Sequence, residues 1–156
     1  MESAFVRGFV VSDTELELPE QCSNWQGADF GGYSFYFHPL TKWTRFSESG
    51  SDHWVVFIGQ AVDLQSGETS MPRLAKRTQE LFKQGGEQKA IEYLAYLGGR
   101  FLCAFGTKDQ VTVIPDCHAT LAFFWTEKAG KFLASSHSRL TAAIADCPQS
   151  AEAATG

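Results

Sequence analysis

Hydrophobic and polar positions change period several times along the chain, and the changes mark its elements. Ala4 to Val11 alternates weakly, as a strand does. Asp13 to Phe30 is polar, punctuated by Pro19, Asn24 and Gly27, and reads as an irregular connection. From Gly32 to Phe37 the aromatics Tyr33, Phe35 and Phe37 recur at every second position, which predicts a strand ending before Pro39. Lys42 to Phe46, carrying Trp43, is expected as its hairpin partner. Trp54 to Ile58 is a continuous apolar run, the pattern of a strand covered on both faces.

The period then lengthens to that of a helix. Pro72 fits a first helical turn, Leu74, Leu81 and Phe82 follow at helical spacing, and Gly85-Gly86 closes the segment. Glu87 to Leu97 predicts a second helix with Ala90, Ile91, Leu94 and Leu97 on one stripe, closed by Gly98-Gly99. Strands return after it. Arg100 to Asp116 reads as two strands around the polar turn Thr107 to Gln110, and Thr120 to Ser136 as two more joined around Glu127 to Lys131. Ser138 to Ala145 is expected to open a helix, with Ser136 or Ser138 as N-cap. This order predicts an α+β fold of antiparallel sheets flanked by helices. Residues 1–147 are expected to form one domain. The small polar stretch 148–156 is expected to be a linker or disordered tail.

Composition narrows the function classes. A chain of 156 residues suits one domain, and 44% hydrophobic residues require a packed core. The net charge of -5 is scattered without a basic patch, which argues against nucleic acid as a partner. No apolar run approaches the roughly 20 residues of a membrane-spanning helix. The apolar start is broken by Arg7 and does not read as a signal peptide, so no membrane association and a cytoplasmic location are expected. In that compartment Cys22, Cys103, Cys117 and Cys147, far apart and without CxxC spacing, are expected as reduced thiols. Cys117-His118 with distant Cys103 and Cys147 lacks zinc-site spacing. Gly98-Gly99 lacks the Lys and Ser/Thr of a phosphate loop. No metal or cofactor is expected. Trp25, Trp43, Trp54 and Trp125 are read as core or interface residues.

A resemblance sharpens this picture. Leu97-Gly98-Gly99-Arg100-Phe101, Val113-Ile114-Pro115-Asp116, Leu121-Ala122-Phe123-Phe124-Trp125 and Phe132-Leu133-Ala134-Ser135-Ser136 follow one another at fixed spacing, with Leu140 beyond. Their order resembles the latter part of class II glutamine amidotransferase domains, the N-terminal domains of the asparagine synthetase family. The strand-like run from Trp54 to Leu64 is similar to the strand that precedes that family's Asn-Gly signature. The likeness covers roughly residues 54 to 144. It implies an Ntn-hydrolase fold, αββα, with two antiparallel sheets stacked face to face and helices outside. It also implies a glutaminase whose amino-terminal Cys attacks glutamine and passes ammonia to an ATP-dependent amide-forming domain, in the same gene or on a separate chain.

The residues that this chemistry needs depart from the family pattern. The nucleophile requires a thiol beside a free α-amino group that serves as its base. Position two is Glu2, followed by Ser3, and Cys22 is internal. The Asn-Gly signature falls on Gly59-Gln60, where Gln60 offers only a substitute oxyanion donor. The family's substrate-gripping Ser-Asp has no counterpart before Pro72, with Asp63 and Glu68 the nearest acids. Arg45 is the candidate for the Arg that holds the substrate carboxylate. A degenerate, catalytically silent domain is therefore expected, with Gly59, Gln60, Gly99, Arg100 and Asp116 as the remnant of the substrate pocket. A small amino-acid ligand is a further expected partner. An unconventional nucleophile such as Cys117, Ser3 or Ser135 is the rival reading. Against it, adjacent side chains such as Cys117 and His118 usually point apart, and Asp116 is expected to tie the turn.

Overall fold

The structure, a computed structural model, describes residues 4–146; Glu2, Ser3, Cys147 and the 148–156 tail lie outside the described residues. In chain order the strands are β1 (Phe9–Ser12), β2 (Gln26–Phe30), β3 (Tyr33–Phe37), β4 (Trp43–Ser47) and β5 (Trp54–Asp63). After helix α1 (Met71–Ala95) come β6 (Leu97–Gly106), β7 (Val111–Pro115), β8 (Phe124–Lys128), β9 (Lys131–Ser135) and helix α2 (Ser138–Ile144). The fold is α+β with two antiparallel sheets, ordered β2-β3-β1-β9-β8 and β4-β5-β6-β7. The chain forms two compact units. The first comprises the residues up to Asp29, Tyr33–Leu40 and those from Ala122 onward; the second comprises Phe30–Gly32 and Thr41–Leu121.

The first unit is built on β1, flanked by β3 and β9. Val10, Cys22, Trp25, Leu133 and Leu140 form its small core, with Phe5, Leu16 and Tyr36 packed against it. The strand expected over Ala4 to Val11 begins only at Phe9. Residues 4–7 form a turn in which Phe5 (φ 58°) and Arg7 (φ 56°) are left-handed, a conformation no strand continues. Strand β2 lies inside the stretch expected to be irregular. It is a sheet edge with Gln26, Gly27 and Asp29 exposed, so it carries no alternating pattern. Trp125, on the opposite edge strand β8, is 63% exposed and is not a core residue. The N-cap residue of helix α2 is His137, not Ser136 or Ser138, and no side chain caps the helix.

The second unit carries the longest ladder. Strands β5 and β6 pair over ten residues each, from Trp54↔Gly106 to Asp63↔Leu97. On one face Val55, Phe57, Ala61, Phe101, Cys103 and Phe105 meet Leu74, Ala75, Ala90 and Leu94 of α1. Each large apolar side chain so buried contributes about 1.5–3 kcal/mol. Val56, Ile58, Leu102 and Ala104, pointing the other way, are buried too, which explains the uninterrupted apolar run. The two expected helices are present end to end within α1, broken at Gly86, whose backbone (φ 76°, ψ -172°) only glycine adopts readily. Gly98 and Gly99 do not close a helix. The helix ends at Ala95, and both glycines lie in β6 opposite Val62 and Ala61. Lys42 to Phe46 does not pair with β3, whose neighbours are β1 and β2; β4 pairs with β5 instead. The two C-terminal hairpins also separate, β6-β7 joining one sheet and β8-β9 the other.

Candidate functional site

All five expected pocket residues come together at the α1 end of the β5-β6 ladder, in the second unit. Gln60 stands opposite Arg100, Gly59 opposite Phe101, and Gly99 opposite Ala61. The two glycines are a matched pair. Gly59 has φ +92°, and a Cβ there would stand 2.3 Å from the Arg100 carbonyl oxygen. Gly99 has φ +106°, and a Cβ there would stand 2.3 Å from the Gln60 carbonyl oxygen. The strands thus approach at two points where only glycine fits.

Asp116 is placed by the end of β7 and is 3% exposed. Its carboxylate accepts from the backbone N–H of Phe101 at 3.2 Å, of His118 at 3.0 Å and of Thr120 at 3.3 Å, and from the Thr120 hydroxyl. Burial pushes its carboxyl up, but these hydrogen bonds outweigh it and hold the group below the usual carboxylate range. Asp116 ties the turn that follows β7, the role its sequence position suggested. Its oxygens are engaged by the fold.

The other candidates are engaged in the same way. Gln60 is exposed, yet its Nε2 donates to the Ala61 carbonyl at 2.8 Å and the Thr69 carbonyl at 3.0 Å. An amide nitrogen has two hydrogens, and both are committed. Asp63 Oδ1 accepts from the Gln65 and Ser66 N–H groups, and Glu68 Oε2 accepts from the Thr69 and Ser70 N–H groups. Backbone hydrogen bonds, chiefly from Ser66 to Asp63 and from Ser70 to Glu68, hold both acids below their ordinary range. Arg45 lies over the Phe30 ring, 5.3 Å from its centroid. Arg100 is exposed beside Gly99.

The nucleophile candidates divide sharply. Cys22 and Cys103 are buried free thiols, and burial raises both. Ser135 is 0% exposed, and its Oγ donates to the His137 carbonyl at 2.8 Å and lies 2.7 Å from Thr141 Oγ1. It is an internal tie between β9 and α2. Cys117 is exposed, and its Sγ lies 3.0 Å from His118 Nδ1. The expectation that these neighbours point apart is therefore overturned. The turn that Asp116 fastens bends the chain enough to bring the two side chains together. Sequence reasoning also passed over Gln79. It falls on the buried stripe of α1 with Leu74, Ala75 and Thr78, and a polar residue on an apolar stripe was the signal available.

Among the described residues no group of three or more His, Cys, Asp or Glu is placed to hold a metal ion, and no helix is long and apolar enough to cross a membrane. No family model matches the chain, and no curated protein matches it.

Proposed function

We propose that the chain is a degenerate glutaminase-like domain of an asparagine-synthetase-type protein, inert toward glutamine, with a structural or regulatory role. The observation that carries this reading is the state of Gln60. At the position where a glutaminase needs a donor aimed at the developing oxyanion, both amide hydrogens of Gln60 already bond backbone carbonyls. Loop hydrogen bonds to Asp63 Oδ1, to Glu68 and to both oxygens of Asp116 support the same conclusion, because they leave less of each carboxylate to grip a substrate ammonium. The two antiparallel sheets and the helix on β5-β6 are compatible with an Ntn-hydrolase fold, and face-to-face stacking of the sheets is part of this proposal. The partner is an ATP-dependent, amide-forming domain, in the same gene or on a separate chain, and the location is cytoplasmic. Incubation with glutamine and assay of glutamate tests the inertness, and recovery of a synthetase-like protein in a pull-down tests the scaffold role.

A second reading has one specific observation in its favour, the 3.0 Å approach of Cys117 Sγ to His118 Nδ1. In it, His118 takes the thiol proton, the thiolate attacks an amide carbonyl carbon, and the C–N bond breaks as His118 returns that proton to the leaving amine; water then hydrolyses the thioester, releasing the carboxylic acid and restoring the thiol. Selective labelling of Cys117 by an electrophilic acyl probe, lost in His118→Ala, would favour this enzyme over the inert domain.

A further inference from the structure

Strands β5 and β6 turn one face to α1, and the two ends of their other face differ. At one end Val56, Ile58, Leu102 and Ala104 are buried. At the other, Gln60 and Arg100 stand opposite each other and both are exposed. Strand β7 pairs with β6 as far as Leu102↔Pro115. The Asp116 N–H, donating to the Phe101 carbonyl at 2.9 Å, carries the pairing one position further. Arg100 and Cys117 are the next residues on the two chains. Past the turn Leu121 comes back against β5, where a Cβ at Gly59 would stand 3.3 Å from Leu121 Cδ1. The turn that presents Cys117 and His118 therefore lies at the Gln60-Arg100 end of the ladder, within the second unit. Arg100 differs from the other arginines of that unit. Arg73 pairs with Glu68, Arg77 pairs with Glu80, and Arg45 lies over Phe30. Among the described residues Arg100 has neither an ion pair nor a hydrogen bond. The carboxylate of the adjoining turn, Asp116, is taken up by donors from Phe101, His118 and Thr120.

We propose that Arg100 sets the substrate class of the Cys117-His118 site: acyl compounds that carry a carboxylate within a few bonds of the reacting carbonyl carbon. The proposal rests on the second reading above, in which Cys117 is the nucleophile. A guanidinium presents its N–H groups as a planar fork, and a carboxylate accepts two parallel hydrogen bonds from it. A substrate held there is oriented toward a thiol that lies 3.0 Å from its base. Arg100 itself forms no covalent bond and exchanges no proton. Amide cleavage and thioester hydrolysis proceed as in that reading, with the bound carboxylate unchanged. All three groups are open to a ligand, because Cys117, His118 and Arg100 are exposed.

Iodoacetate and iodoacetamide offer a thiol the same reacting carbon, one beside a carboxylate and the other beside an amide. The full chain is treated with both in competition, Cys117 is read by peptide mapping, and N-acetylcysteine amide serves as the reference thiol. The expected ratio of iodoacetate to iodoacetamide at Cys117 is about fivefold above the reference at low salt, the size an exposed charge pair sustains. It should fall toward the reference in roughly 0.5 M salt, as the charges are screened. Arg100→Met should return the ratio to the reference value, and Arg100→Lys should keep part of the excess. Alkylation of Cys117 no faster than the reference with either reagent, and indifferent to His118→Ala, removes the second reading and this proposal with it. Faster alkylation at an unchanged ratio, or a raised ratio that survives Arg100→Met, leaves that reading standing and overturns the role of Arg100. Should Arg100→Met not fold, a ratio in the unmodified chain that salt does not alter overturns it instead.

Discussion

Asp116 and Phe101 hold each other twice: the Phe101 N–H donates to the Asp116 carboxylate at 3.2 Å, and the Asp116 N–H donates to the Phe101 carbonyl at 2.9 Å. The pair fastens the turn after β7 to the strand that carries Gly99 and Arg100. Asn at this position has one acceptor oxygen where the carboxylate has two, and its NH₂ faces N–H donors. Asp116→Asn should therefore destabilise the domain by about 1–3 kcal/mol, read from chemical denaturation.

The same residue sets a pH dependence. Its folded carboxyl lies below its unfolded value, so in acid the unfolded chain binds the extra proton. The contribution of Asp116 is full above about pH 4, the unfolded carboxyl value, and is lost as the pH falls through the folded one. A stability profile from neutral pH into acid should decline along this limb, and Asp116→Asn should flatten it.

The glycine pair predicts a backbone effect. Ala at residue 59 or 99 would place a methyl group against a carbonyl oxygen in a left-handed backbone. Gly59→Ala and Gly99→Ala should each cost about 2–4 kcal/mol, through strain together with the clash. Alanine at Gly50, which has open space around it and a left-handed φ of +81°, should cost less and separates strain from collision.

Thiol reactivity should follow burial. Cys117 is exposed, whereas Cys22 and Cys103 are buried and their thiols are raised by it. Peptide mapping after brief treatment with iodoacetamide should find Cys117 carbamidomethylated. Cys22 and Cys103 should react only after denaturation.

Much of this was legible in the residue pattern, for reasons that particular elements make plain. Strand β3 alternates aromatics, and the buried run of β5 is uninterrupted, because both patterns are written by side-chain burial. The break in α1 was legible because Gly85-Gly86 is a local signal. What failed was long-range. Nothing in Trp43–Ser47 says that its partner is β5, since that choice depends on both sides of β3 being taken. Gly59, Gln60, Gly99, Arg100 and Asp116 lie at neighbouring positions of β5, β6 and the end of β7, but the commitment of the Gln60 amide to Thr69 depends on how the chain between β5 and α1 turns back. The contact of Cys117 with His118 was missed for a similar reason, because a turn tied by a neighbouring carboxylate breaks the rule that adjacent side chains diverge.

If Gln60 stands where a glutaminase needs its oxyanion donor, as proposed, its two bonds to the Ala61 and Thr69 carbonyls leave glutamine unhydrolysed, and glutamate release reads this out. Purified protein mixed with millimolar glutamine should release glutamate no faster than a buffer blank, with or without Gln60→Ala. Saturable glutamate production by the unmodified chain, abolished in Gln60→Ala, would instead make Gln60 a working donor and the domain an active glutaminase.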